Sequence, residues 1–254
     1  MRVGSSPFGG MPPVVKNLLI INVIFYFASI VLFQSMGIRI EDFLGLHIPI
    51  ADKFGVYQLV TYMFLHAYPD PAHIFFNMFA LFMFGRMLES VWGSKRFLFY
   101  YMATGIGAAL VHLVAQYYEI LPMLKEISFF MNNPNHIGLQ SFLEINNLTN
   151  SDPGLIREYL MNYRAAYLDA HVTVGASGAV FGILLAFGML FPNMRLMLLF
   201  PPIPIKAKYF VIMYGVLELF LGVANFSMDN VAHFAHLGGM LFGFLLIKYW
   251  QKKG

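Results

Sequence analysis

Two side chains in this sequence supply what acyl transfer needs. One is a hydroxyl flanked by small residues, Ser177 in VTVGASGAVFG (Val172 to Gly182); the other is an imidazole, His236 in AHLGG. A serine hydroxyl is a weak nucleophile until an adjacent base takes its proton. A neutral imidazole can take that proton and later give it to a leaving amine. The tetrahedral intermediate also needs hydrogen-bond donors for its oxyanion. His73 and Asn77 are four residues apart, which puts both on one helical face, where they could aim at one oxygen. The backbone N–H of Ser177 is a third candidate. No one of these residues is diagnostic alone, because a serine in an apolar helix often bonds back to its own backbone. The question is whether the elements that carry them bring them together.

Those elements belong to a membrane. The 254 residues are 59% hydrophobic and 11% charged, against about 25% charged in an ordinary soluble domain. Six segments have the roughly 20 apolar residues that span a bilayer: about 16–36, 71–90, 96–118, 171–191, 207–227 and 231–250. The first is long enough to span and lacks a small-residue cleavage site after it, so it reads as a retained helix and not a signal peptide. The apolar stretch Val56 to Ala67 is too short to span and is expected as a partly inserted external loop. The fold class is thus an all-α polytopic bundle of six transmembrane helices, one membrane domain over 16–250 with tails at 1–15 and 251–254. Eleven of the sixteen Lys and Arg fall on one set of loop ends, and that excess marks the cytoplasmic side. Both termini are then cytoplasmic, in an integral multi-pass protein expected in a bacterial inner membrane.

This topology makes segments two, four and six all start at the external face. His73 and Asn77 lie near the start of segment two, Ser177 about six residues into segment four, and His233 and His236 two and five residues into segment six. At 1.5 Å per residue all sit within roughly 10 Å of the external end. Polar residues within spans are costly and usually functional, and these share one layer. Gly178 and Gly182 on segment four, and Gly239 and Gly243 on segment six, form small-xxx-small pairs that let backbones approach. Contact there would set Ser177 beside His236. No Asp or Glu is evident near either residue, Asp229 being nearly two turns before His236 and expected in a loop, so the pair reads as a dyad. Glu218, in segment five, reads as a structural hydrogen bonder. His233 reads either as a satisfied interfacial histidine or as a residue that lines the water cavity or helps an oxyanion; His66 is equally open. The external stretch 119–170 is too long for a tight connection, and Asp152-Pro153 followed by apolar residues at helical spacing predicts an amphipathic covering helix there.

At this point the sequence resembles the rhomboid family of intramembrane serine proteases. GASGAVFG at 175–182 is similar to the family's Gly-x-Ser-Gly nucleophile motif, AHLGGMLFG at 235–243 to its histidine helix, HIFFN at 73–77 to its His-x-x-x-Asn element, and GRMLESVWGSKRF at 85–97 to the segment that follows. The resemblance implies Ser177 as nucleophile, His236 as base, and His73 and Asn77 as oxyanion donors, with Gly175, Gly178 and Gly239 supporting. It implies that Phe181 packs on the catalytic imidazole, where Tyr also occurs. Its implied substrates are transmembrane segments of other proteins, cut near the membrane border. Tyr57-Gln58 stands where the family often has Trp-Arg, which keeps an aromatic and loses the anchoring charge.

Other classes fare worse. The chain has no cysteine, so disulfides and thiolate chemistry are out. A net charge of +3 spread over loops gives no nucleic-acid footprint. A metal centre built on His66, His73, His233 and His236 lacks HExxH and lacks a carboxylate in the external layer, so no metal and no cofactor is expected. A catalytically silent relative would lack the serine or the histidine. A transporter would show broken helices in matching halves. Oligomeric state is left open.

Overall fold

The computed structural model of the chain describes residues 10–68, 70–149, 151–197, 202–224 and 232–253. In chain order the helices are α1 Pro13–Met36, α2 Glu41–Leu44, α3 Gln58–Thr61, α4 Pro71–Ala80, α5 Arg86–Trp92, α6 Ser94–Asn132, α7 Gln140–Ile145, α8 Pro153–Ala170, α9 Ser177–Leu190, α10 Ala207–Ala224 and α11 His233–Lys253. A π turn, Leu81–Gly85, joins α4 to α5. Two short antiparallel pairs complete the fold: β1 Leu46–His47 with β2 Val172–Thr173, and β3 Arg195–Met197 with β4 Pro204–Lys206. Helices occupy all six expected segments. Pro13–Met36, Pro71–Trp92, Ser94–Asn132 and Ala207–Ala224 are long and apolar enough to cross a membrane. The protein is an all-α, multi-pass membrane bundle. The expected loop position of Asp229 and the start of the sixth segment at Val231 lie outside the described residues.

At the centre of the bundle, α9 packs against α11 and α6. Glycines make this possible. A Cβ on Gly239 would collide with the backbone carbonyl of Gly178, so the α9 and α11 backbones touch at that point. Gly182 and Gly243 do something different from what their spacing suggested. Both are opened to α6, where Thr104 and Tyr100 fill the space and the Tyr100 hydroxyl donates to the Gly182 carbonyl at 2.8 Å. Each glycine pair therefore serves two neighbours. At the other end, Glu89 is buried and accepts from the backbone N–H groups of Val14 and Val15 at 2.9 and 2.8 Å and from the Ser94 hydroxyl at 2.7 Å. The two N–H groups have no intrahelical partner, and a carboxylate also suits the positive end of the α1 dipole.

Three expectations change. The fourth segment is not helical throughout. Residues 172–173 are extended and pair with β1, and Gly175 has φ +133°, a conformation that L side chains rarely adopt. Helix α9 starts only at Ser177, which is its first residue and not its sixth. The third segment does not stop near 118: α6 is 39 residues long, about 58 Å at 1.5 Å per residue, roughly twice a bilayer core. Charges at Glu119, Lys125 and Glu126 end the apolar span but not the helix, because Ile120, Leu124 and Ile127 keep one buried face. Ile127 joins Leu139, Leu143, Leu148, Ile156 and Leu160 in a second core. The helix expected after Asp152 is α8, with the Asp152 carboxylate accepting from Gly154 and Leu155 N–H at 2.8 and 3.2 Å, and it covers the α6 extension. Thirdly, the first loop does not lose its anchor with the missing charge. Gln58 is fully buried, and its amide donates to the Phe43 and Lys53 carbonyls at 3.1 and 2.8 Å and accepts from His47 N–H at 3.2 Å.

Candidate active site

Ser177 sits where an extended chain turns into a helix. The Gly175 N–H donates to the Tyr62 carbonyl at 3.0 Å, and Tyr62 itself donates through its hydroxyl to the Gly105 carbonyl at 2.8 Å. The His112 ring bonds the Thr173 hydroxyl at 2.8 Å. The loop between α1 and α4 and helix α6 thus fix the approach to the serine from both sides. Ser177 is half-buried, and His236 is buried behind it. The two bond directly, His236 Nε2 to Ser177 Oγ, at 2.8 Å.

The roles within that bond follow from the other ring nitrogen. His236 Nδ1 lies 2.8 Å from Glu218 Oε2. A carboxylate only accepts, so Nδ1 carries the proton and Nε2 is left as the acceptor. The serine hydroxyl then donates to Nε2, which is the arrangement a general base requires. Phe181 lies flat on the same imidazole, with centroids 4.1 Å apart and planes at 7°. It holds the ring by contact alone.

Glu218 overturns the reading of a carboxylate-free layer. It projects from α10 and is buried, and the same Oε2 also accepts from His233 Nδ1 at 2.7 Å. His233 is therefore bonded to a carboxylate. The objection that no carboxylate reaches the histidines, used against a metal centre, falls with this. The donor atoms of Glu218, His233 and His236 lie within 4.8 Å of one another. The close separations nonetheless favour hydrogen bonds. Ligands held at 2.0–2.1 Å around a tetrahedral ion would stand about 3.3 Å apart, whereas 2.7 and 2.8 Å are hydrogen-bond lengths.

His73 and Asn77 approach from α4. The Ala67 N–H donates to His73 Nδ1 at 3.3 Å, so the proton of the neutral ring is on Nε2. That nitrogen would lie 3.0 Å from a Cβ on Gly175, the same point being 3.6 Å from Ser177 Oγ. Only a glycine leaves this space open. Asn77 gives one amide N–H to the His73 carbonyl at 2.8 Å, which leaves the second for another acceptor. The Ser177 N–H belongs to the first turn of α9 and has no intrahelical acceptor. His66 is fully buried with its ring 5.2 Å from that of His73, edge to face. Burial and the neighbouring His73 push it down to about 3, so it is neutral, and neither of its ring nitrogens has a hydrogen-bond partner among the described residues.

The chain is similar to known proteins over most of its length. The Rhomboid domain family model matches residues 53–124 and 135–252. A curated relative, Rhomboid protease AarA from Providencia stuartii, is 27% identical over 249 residues, a span that covers 91% of this chain and 69% of that protein.

Proposed function

Because the chain belongs to the rhomboid family and is an intramembrane serine protease, we propose that Ser177 is its nucleophile and His236 its general base. The observation that carries the assignment is the 2.8 Å bond from the Ser177 hydroxyl to His236 Nε2, in a ring whose other nitrogen is held by a carboxylate. In the reaction the hydroxyl proton passes to Nε2 as Oγ adds to the scissile carbonyl. His236 then protonates the departing amine, and water, activated by the same imidazole, releases the acyl group. His73 Nε2–H, the second N–H of Asn77 and the Ser177 N–H bind the oxyanion; preorganised donors of this kind carry a large share of such rate enhancements. Phe181 fixes the imidazole plane, and Gly175, Gly178 and Gly239 create the space in which these groups meet. The substrates are transmembrane segments of other proteins in the same bilayer, with the site on the external side and both termini in the cytoplasm of a bacterial cell.

The test places wild type, Ser177→Ala and His236→Ala in liposomes with a reporter transmembrane substrate. Wild type cleaves and both variants do not; a fluorophosphonate labels wild type and not Ser177→Ala. Cleavage that persists in Ser177→Ala sinks the assignment, and cleavage abolished by EDTA in wild type would point to a metal-dependent hydrolysis instead.

A further inference from the structure

A Ser–His pair accounts for nucleophile and base, but not for the buried carboxylate behind the base. Resting on the Ser177–His236 reading, we propose that Glu218 is a positioning residue of the active site, a third member that fixes the His236 tautomer and stabilises the imidazolium, held in place by His233.

The geometry is specific. Glu218 and His236 are on different helices, α10 and α11, and are 18 residues apart. The line of bonds runs Ser177 Oγ, His236 Nε2, His236 Nδ1, Glu218 Oε2, with both hydrogen bonds at 2.8 Å. A buried carboxylate is costly unless hydrogen-bonded, and here one oxygen accepts two imidazole N–H groups. His233, one turn before His236 on α11, therefore anchors the carboxylate from the same helix that carries the base. When Ser177 gives its proton to Nε2, the Nδ1 proton stays on the ring and the imidazolium faces a fixed negative charge. Glu218 does not take the proton; it holds the ring and opposes the new charge, as the acid of a soluble Ser-His-Asp enzyme does.

Other titratable groups face the same imidazole. His73 from α4 and His112 from α6 are its electrostatic neighbours, and α9 contributes no ionisable side chain. Neither of these histidines, nor His233, supplies a negative charge. Only Glu218 among the described residues bonds to Nδ1 with a charge opposite to that of the imidazolium.

The test compares wild type and Glu218→Gln in liposomes, across pH, with detergent thermal stability measured alongside. Glutamine keeps an acceptor for Nδ1–H but removes the charge. The expected result is a fall in kcat of about 10²- to 10⁴-fold with little change in KM, and an acidic limb of the pH–rate profile displaced to lower pH, because the imidazolium has lost its counter-charge. The proposal is overturned if kcat is unchanged, or if it falls equally at every pH with the limb in place. A second measurement does not depend on the variant folding. In ¹⁵N-histidine-labelled Ser177→Ala protein, the His236 resonances, assigned by their loss in His236→Gln, report the Nδ1–H tautomer; the Nε2–H tautomer would overturn the proposal. Failure of the underlying Ser–His reading is seen separately, as cleavage surviving in Ser177→Ala or His236→Ala.

Discussion

At the scale of single residues, the glycines and histidines carry the sharpest consequences. Gly239→Ala would place a methyl group on the Gly178 carbonyl. The two backbones cannot both stay, so α11 moves and draws His236 off Ser177. The expected outcome is a loss of about 1–3 kcal/mol of stability by overpacking and a loss of fluorophosphonate labelling, read by thermal denaturation and gel fluorescence. Asn77→Ala removes one oxyanion donor, and kcat should fall by about 10²–10³; an unchanged kcat would make Asn77 structural. His66 gives a pH signature. Its pKa drops from 6.5 to about 3 on folding, so the unfolded chain takes up a proton that the folded chain refuses. The stability it contributes is present above 6.5 and is lost as pH falls through that value towards 3. Thermal midpoints measured between about pH 7.5 and 5 should fall less steeply in His66→Phe than in wild type. Much of this site was legible in the sequence, because depth follows from counting residues inward from a charge-defined surface. Ser177, His236, His73 and Asn77 share one depth by that count. Glu218 is not legible that way, because its segment leaves through the external face and its expected end near 227 is nine residues, about 13.5 Å, beyond it. In the structure its Oε2 lies 2.8 Å from His236 Nδ1, a meeting of two helices that no count along one segment reports.

At the scale of elements, what escaped the sequence was where helices begin and stop. Hydropathy reports where a span ends and is silent on where the helix ends. The α6 extension shows this: its charged residues read as a membrane border, while Ile120, Leu124 and Ile127 continue a helical stripe beyond it. Conversely, the extended stretch before Ser177 is as apolar as a helix, and only the backbone at Gly175 reveals the break. The second core makes a testable claim about this outer layer. Leu160 is 2% exposed, and truncating such a side chain costs about 2–5 kcal/mol. Leu160→Ala should open α7 and α8 to limited proteolysis while Ser177 remains labelled by fluorophosphonate. Loss of labelling in that variant would show that the outer layer holds the site together. At the opposite end, Glu89 ties the start of α1 to α5 and α6. Glu89→Ala leaves two buried or half-buried N–H groups without an acceptor, at about 1–3 kcal/mol for each such orphaned group, so the thermal midpoint falls while KM for a reporter substrate is unchanged.

At the scale of the whole molecule, the open quantity is direction. The bundle has two ends. One carries the outer layer of α7 and α8, the β1–β2 pair and Ser177; the other carries the start of α1, the Arg96 guanidinium 4.1 Å over the Trp250 ring, and the terminal Lys252 and Lys253. We propose that the second end is cytoplasmic, since cytoplasmic ends hold the excess of Lys and Arg. The absence of cysteine makes the direction easy to read, because any introduced thiol is the single target. Glu144→Cys, exposed on α7, and Gln251→Cys, exposed at the end of α11, should behave oppositely in cells whose inner membrane is intact and accessible. A membrane-impermeant maleimide should label Glu144→Cys at once and Gln251→Cys only after permeabilisation. Because the chain passes from α8 through β2 directly into Ser177, the side on which the Glu144→Cys variant reacts is also the side on which the nucleophile opens to water. The reverse labelling pattern would move the reaction to the cytoplasmic face and with it the end of a substrate helix at which cleavage occurs.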